Sequence, residues 1–233
     1  MSTTYRYSPL NEKAQQIRLL TLLPGTISPQ KDFQIRIKLH IVELTKENEH
    51  EFEAVSYVWG STDDHLDIWI ETESGPQSLK ITRNLYDCLM HICYESHPCI
   101  LWIDAICIDQ QNIPERSSQV RRMADIFSWS KRVVVWLGRE ADGSSLALHL
   151  LEVLSSKIEV DWEKVSKKAA SEDASEQHWG DPNIALPYNE QEYTAIVRLL
   201  ERPCRCWGRT IFPIPAYFLI FSQDNVISRN NSI

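Results

Sequence analysis

Residues 99–110 read Cys-Ile-Leu-Trp-Ile-Asp-Ala-Ile-Cys-Ile-Asp-Gln, and the fold can be worked out from this stretch. Its first five residues are apolar, which is typical of a strand covered on both faces in a parallel sheet. A helix is predicted next, since Asn112 suits the N-cap, Pro114 the first turn and Glu115 the capping box. The apolar residues 133–137 form a second strand. This order predicts a βαβ unit with a right-handed crossover.

The predicted helix has a buried side and a solvated side. Apolar residues at helical spacing form the buried side: Val120, Met123 and Phe127. Three arginines are placed on the solvated side, with contact to an anionic partner as the alternative: Arg116, Arg121 and Arg122.

Further strands are predicted before residue 99. Apolar and polar residues alternate over 33–41, and the apolar run 17–23 precedes them, so we expect an N-terminal strand pair. A strand over 54–59 stops at a glycine, and short strands at 66–70 and 79–81 flank a turn. A helix with one apolar stripe follows residue 82. Together these elements predict an α/β fold: a mostly parallel, doubly wound sheet with helices on both faces, plus the N-terminal pair.

The C-terminal part is less regular. Helices are predicted around 147–154 and from Asn189, with a flexible polar insertion at 157–187 between them. After residue 210 the pattern is lost, and no element is assigned. The predicted organisation is N-terminal strands and a connector (1–50), a main domain (51–212) and an atypical tail (213–233).

Composition narrows the function classes. The formal net charge of -8 and pI near 5.4 disfavour nucleic acid as a partner. The N-terminus lacks the pattern of a signal peptide, and no apolar run is long enough to span a membrane, so a cytoplasmic location is expected. The six cysteines are expected to be reduced, and Cys204 and Cys206 are too close together for a zinc knuckle. No metal is predicted.

Candidate functional residues follow the strands, because open α/β sheets bind ligands beyond the carboxyl ends of their strands. Trp59 and Gly60 offer a flat ring and a close backbone approach for a base or nicotinamide, although core packing and a turn are the simpler explanation of these two residues. Asp104 ends a buried strand, where a carboxylate must be hydrogen-bonded, paired or used in catalysis. Cys107 is a weaker candidate nucleophile, since no histidine lies nearby in the sequence. Glu115 is explained by its cap, or alternatively serves as a general base.

A family resemblance is carried most specifically by Ser-Tyr-Val-Trp-Gly at 56–60 and Trp-Ile-Asp-Ala-Ile-Cys-Ile-Asp-Gln at 102–110. Together with Ile-Arg-Leu-Leu at 17–20, Glu-Arg at 115–116, Gln-Val at 119–120 and residues 133–138, they resemble the heterokaryon-incompatibility (HET) domain of filamentous fungi. The resemblance implies a toxic effector of programmed cell death after fusion of genetically different hyphae, with nonself recognition carried by other domains. Protein partners or self-assembly are implied with it.

The domain also looks remotely similar to Toll/interleukin-receptor (TIR) domains, which have a flavodoxin-like sheet and some of which cleave NAD. That resemblance implies that Trp59, Gly60 and Asp104 border a nucleotide pocket and that a glutamate on a later helix acts on the nicotinamide ribose. If NAD is the substrate, Asp104 or Glu115 is the candidate catalytic acid. Further candidates for binding the nucleotide are Tyr57, Cys107 and Asp109.

The chain departs from the family after Arg202 and Pro203, where the Gln-Glu pair of the family is missing. A retained intron or a shifted frame after Thr210 is one hypothesis for this tail. Two function classes follow. An effector that acts through protein contacts stands first, because the expected glutamate is absent, and a TIR-like NAD-cleaving hydrolase is the alternative.

Overall fold

A mixed β-sheet organises the protein. The computed structural model describes residues 4–24, 34–46, 51–92, 96–161, 166–181, 183–202, 218–222 and 225–226. Its strands are β1 (Gln16–Leu22), β2 (Arg36–Glu43), β3 (Glu53–Ser56), β4 (His65–Thr72), β5 (Gly75–Thr82), β6 (Cys99–Trp102), β7 (Arg132–Trp136), β8 (Ile158–Asp161), β9 (Ser166–Ala169), β10 (Phe218–Ser222) and β11 (Asn225–Val226). Its helices are α1 (Arg83–Ile92), α2 (Asp104–Cys107), α3 (Ile113–Arg121), α4 (Met123–Ser128), α5 (Ser144–Lys157) and α6 (Glu190–Glu201), with a 3₁₀ turn at Gln177–Gly180.

The main sheet has the order β11-β10-β7-β3-β6-β1-β2-β4-β5 in the described residues. The pairs β10–β7, β7–β3, β3–β6 and β2–β4 are parallel, whereas β6–β1, β1–β2 and β4–β5 are antiparallel. The parallel neighbours β6-β3-β7-β10 come second, first, third and fourth along the chain, which is the flavodoxin-like order. The predicted α/β class is therefore confirmed, and so are the N-terminal strand pair and the β4–β5 hairpin.

The core lies on both sides of β1, β3 and β6. Its largest fully buried side chains include Trp102, Trp136 and Phe52, together with Ile17, Leu20 and Leu22 of β1. Burying this apolar surface is the main force that stabilises the sheet.

The helix predicted after residue 112 is divided in two. Arg122 lies between α3 and α4, and its guanidinium donates to the carbonyl oxygens of Gln16 at 3.3 Å and Leu44 at 3.0 Å. Placing Arg122 on the solvated side was therefore wrong, because it binds the backbone of the N-terminal strands. Val120 was also misplaced, since it is 52% exposed, while Ser118 and Gln119 face inward instead.

The described chain divides into two compact units, Met1–Gly138 with most of β10 and Arg139–Arg202. In the second unit, α5 packs against α6, and Gly143 lies so close to Ala195 that a Cβ at Gly143 would be 3.3 Å from the alanine Cβ. The segment 157–187, predicted as an insertion, contains the β8–β9 hairpin and the 3₁₀ turn. In the predicted tail, residues 218–222 form β10 beside β7. Cys204, Cys206 and the region around Thr210 lie outside the described residues.

Candidate functional site

Three neighbouring parallel strands end at one edge of the sheet. β3 lies between β6 and β7, with Ala54 opposite Trp102 and Ser56 opposite Val135. The segments that follow these strands start at the same edge, as the sequence predicts. We call residues 57–60 and 104–110 at this position the sheet edge.

Trp59 and Asp104 are in direct contact at the sheet edge. The indole Nε1 of Trp59 donates to Oδ2 and Oδ1 of Asp104 at 3.1 and 3.3 Å. Asp104 is also the first residue of α2, and its Oδ1 accepts from the backbone amide of Ala105 at 2.7 Å. The carboxylate thus joins the segment after β3 to the segment after β6. Both residues are half-buried.

Asn84 connects the ends of β3 and β7. Its Nδ2 donates to the carbonyl oxygen of Val58 at 2.5 Å, and its Oδ1 accepts from Nε1 of Trp136 at 3.0 Å. Gly60 passes close by with φ of +76°, and a Cβ at this position would be 3.2 Å from the Asn84 Cβ. Sequence reasoning missed Asn84. The available signal was Trp136, whose buried indole requires an acceptor, but that signal does not identify the partner.

Glu115 makes a buried ion pair with Arg18 of β1. The two guanidinium Nη atoms lie 2.5 and 2.9 Å from the two carboxylate oxygens, and the side chains are 1% and 7% exposed. Oε1 of Glu115 also accepts from the amide of Asp109 at 2.8 Å. Asn112 caps α3 as predicted, accepting from the amide of Glu115 at 3.2 Å. The predicted role of Glu115 in a capping box was wrong, because Arg18 draws its carboxylate away from the helix end.

Arg18 has further partners. It donates to the carbonyl oxygens of Cys107 at 3.0 Å and Ser8 at 2.6 Å, and its guanidinium carbon lies 4.8 Å from the centre of the Tyr7 ring. The Tyr7 hydroxyl donates to the carbonyl oxygen of Ile106 at 2.9 Å. Sequence reasoning did not assign Arg18 a role. A single arginine in the apolar run 17–23 was the signal, since a charge at a buried strand position needs a partner.

The family model for the heterokaryon incompatibility protein (HET) matches residues 52–208, which is more than half of the chain. The chain belongs to the HET family. It is 39% identical over 136 residues to "Heterokaryon incompatibility protein 6, OR allele" of Neurospora crassa. That alignment covers 54% of this chain and 19% of the Neurospora protein, so the chain spans about a fifth of that relative. No solved structure matches.

Two of the three remaining predicted site residues of the HET segment are buried. Tyr57 is 4% exposed and Cys107 is fully buried. Burial raises the pKa of the Cys107 thiol to about 12, so the thiol stays protonated near neutral pH and is a poor nucleophile. Asp109 is half-buried, and its Oδ1 accepts from the amide of Gln111 at 3.1 Å. The backbone of Cys107 and Asp109 contacts Arg18 and Glu115, whereas Trp59 contacts Asp104 and Gly60 lies beside Asn84.

The described residues of this HET protein contain no cluster of three or more histidine, cysteine or acidic side chains arranged to hold a metal ion. Over the same part of the chain, no helix has both the length and the apolar character needed to cross a membrane.

Proposed function

We propose that this chain is a HET-domain effector of fungal heterokaryon incompatibility, which promotes cell death through contacts with protein partners or further copies of itself. The HET family match over residues 52–208 carries this proposal. The 39% identity to a heterokaryon incompatibility protein supports it. Because the chain covers 19% of that relative, the trigger and the partners are part of the proposal. A cytoplasmic location and the absence of a nucleic-acid partner are proposed with it, the latter from the net charge of -8.

The contacts of the two candidate acids favour an effector that works through its surface. Both oxygens of Glu115 bind Arg18, and one of them also binds the amide of Asp109. The oxygens of Asp104 bind Trp59 and the amide of Ala105. These contacts give both carboxylates a structural role at the sheet edge, which an effector that acts through its surface accounts for.

The test is to express the full chain in a filamentous fungus and to measure viability and cellular NAD together. Asp104→Asn is the informative variant, because an amide oxygen still accepts from Trp59 but cannot act as a carboxylate. The matched control is Asp67→Asn, at an exposed position of β4. We expect the parent chain to reduce viability while NAD stays unchanged, and Asp104→Asn to retain most of that effect.

Two results would overturn the proposal. A fall in NAD with the parent chain that Asp104→Asn abolishes and Asp67→Asn does not would identify a TIR-like NAD-cleaving enzyme. Full viability with the parent chain at a verified expression level would show that this chain is not an effector on its own.

A further inference from the structure

The segment from Asp104 to Gln110, which we call the motif loop, is held by side chains from outside the HET-matched range. It begins with α2, a single helical turn whose last carbonyl groups have no partner within the helix. Two of these carbonyls are bound by the N-terminal segment. The Tyr7 hydroxyl donates to Ile106 at 2.9 Å, and Nη1 of Arg18 donates to Cys107 at 3.0 Å.

The motif loop is held from the other side by α3. Oε1 of Glu115 accepts from the amide of Asp109, and the same carboxylate binds both Nη atoms of Arg18. A buried ion pair is stabilised by further hydrogen bonds to its two charges. Here such bonds go to the backbone at Cys107, Asp109 and Ser8, so two of the three contacts that stabilise the ion pair also hold the loop.

The first residue of the motif loop contacts the segment that follows β3. Asp104 contacts Trp59, and the carbonyl oxygen of Asp104 accepts from Nε2 of Gln110 at 2.8 Å. The two ends of the loop are therefore linked to each other. A shift at Cys107 or Asp109 is passed through one helical turn to the Asp104 carboxylate.

We propose that Arg18 and Glu115 are a positioning pair that fixes the motif loop, so that Asp104 is presented to Trp59 at the sheet edge. The inference rests on the proposed function, because it names the contacts that hold the sheet edge in place in the effector. It also extends the working domain beyond the HET-matched segment. Arg18 lies on β1, before residue 52, so residues 52–208 contain only half of the pair.

A positioning role and a general stabilising role predict different changes in hydrogen exchange when the ion pair is removed. If the pair positions the loop, its removal opens the loop locally while the sheet keeps its protection against hydrogen exchange. If the pair only stabilises the fold, exchange rises in the loop and in the sheet together. Hydrogen exchange distinguishes the two roles. Local opening accelerates exchange only at the amides of the loop, whereas global unfolding accelerates exchange at the amides of the sheet as well.

The experiment compares the full chain with the double variant Arg18→Met/Glu115→Met, which replaces the buried pair with apolar side chains and avoids an unpaired charge. The matched control is Arg36→Met/Glu71→Met, which removes an ion pair of 2.6 Å whose side chains are 58% and 20% exposed. Hydrogen exchange is read by NMR at the amide of Ala105, whose acceptor Asp104 is unchanged in the variant, and at the amides of β3.

We expect the amide of Ala105 to exchange about tenfold faster in the Arg18→Met/Glu115→Met variant, the change that corresponds to losing a hydrogen bond to a charged group. The amides of β3 should stay close to the parent rate, and the control should change neither. Unchanged exchange at Ala105, or an equal rise at Ala105 and β3, would overturn the inference.

A second variant keeps the inference testable if the double variant does not fold. Tyr7→Phe removes only the hydroxyl that binds Ile106, and it should accelerate exchange in the motif loop by a few-fold, in line with one neutral hydrogen bond. No acceleration in this variant would overturn the inference if the double variant fails to fold. Viability separates the two proposals, because a parent chain without effect on cells defeats the proposed function while the exchange rates still decide the positioning role.

Discussion

Helices α3 and α6 begin with the same sequence pattern, an asparagine followed three residues later by a glutamate, yet their N-termini differ. At α6 the capping box is complete, since Asn189 accepts from the amide of Glu192 at 3.0 Å and Glu192 accepts from the amide of Asn189 at 2.8 Å. At α3 only the asparagine half is present, because the carboxylate of Glu115 binds Arg18.

The difference shows which interaction prevails when a glutamate has two possible partners. A capping-box glutamate contributes one hydrogen bond to an exposed amide, whereas Glu115 neutralises a guanidinium that is 1% exposed. Leaving that cation unpaired costs several kcal/mol, which exceeds the contribution of a cap. The local pattern therefore determines where the helix begins, and the distant strand determines what the glutamate does.

The largest expected effect on stability comes from removing Arg18, the cation that binds Glu115 of α3. Arg18→Met leaves the Glu115 carboxylate buried without its partner and should lower the free energy of unfolding by about 3–5 kcal/mol. Urea denaturation measures this. As a comparison, Arg198→Met removes an exposed pair with Asp142, and should change the free energy little. Similar losses for both variants would contradict the assignment.

Replacing the glutamate itself compares the two helices directly. Glu115→Gln should lower the free energy of unfolding by about 2–3 kcal/mol, because Arg18 loses a charged acceptor in a buried site. Glu192→Gln keeps a capping oxygen at an accessible helix end and should cost less than about 0.5 kcal/mol. Chemical denaturation of both variants checks the ratio, and equal costs would show that Glu115 acts merely as a cap.

The asparagine caps should behave alike. Asn112→Ala and Asn189→Ala each remove one acceptor for an amide, at 3.2 and 3.0 Å, and each should cost about 1 kcal/mol. Thermal or urea unfolding can measure both. A cost at Asn112 several times that at Asn189 would mean that the α3 cap also supports the Arg18 network.

The smallest effect is expected on the exposed face of α3. Val120→Lys should change the free energy of unfolding by no more than about 0.5 kcal/mol, because this side chain is 52% exposed. A decrease of several kcal/mol in the free energy of unfolding would indicate that Val120 is buried, as the helical spacing predicts.

The pattern of apolar residues predicted most of the sheet. A strand buried on one face alternates apolar and polar residues, and a strand buried on both faces is a continuous apolar run. The pattern also placed Trp59 and Asp104 at one edge, since they follow neighbouring parallel strands. The partners were not predictable in the same way. The carbonyls bound by Arg122 at Gln16 and Leu44, and the indole bound by Asn84, belong to segments far away along the chain. Only the folded topology shows which polar groups meet.

β1 is synthesised early, but one of the two strands that pair with it, β6, is synthesised only much later. One side of β1 pairs with β2, which follows directly, while Leu20 on the other side pairs with Leu101 of β6. At a synthesis rate of about 5–20 residues per second, the side of β1 that pairs with β6 stays unpaired for roughly 4–16 s, until the ribosome has synthesised β6. Through this interval an apolar strand edge is open to other chains. The nascent protein therefore presents a binding site for chaperones that the finished molecule no longer has.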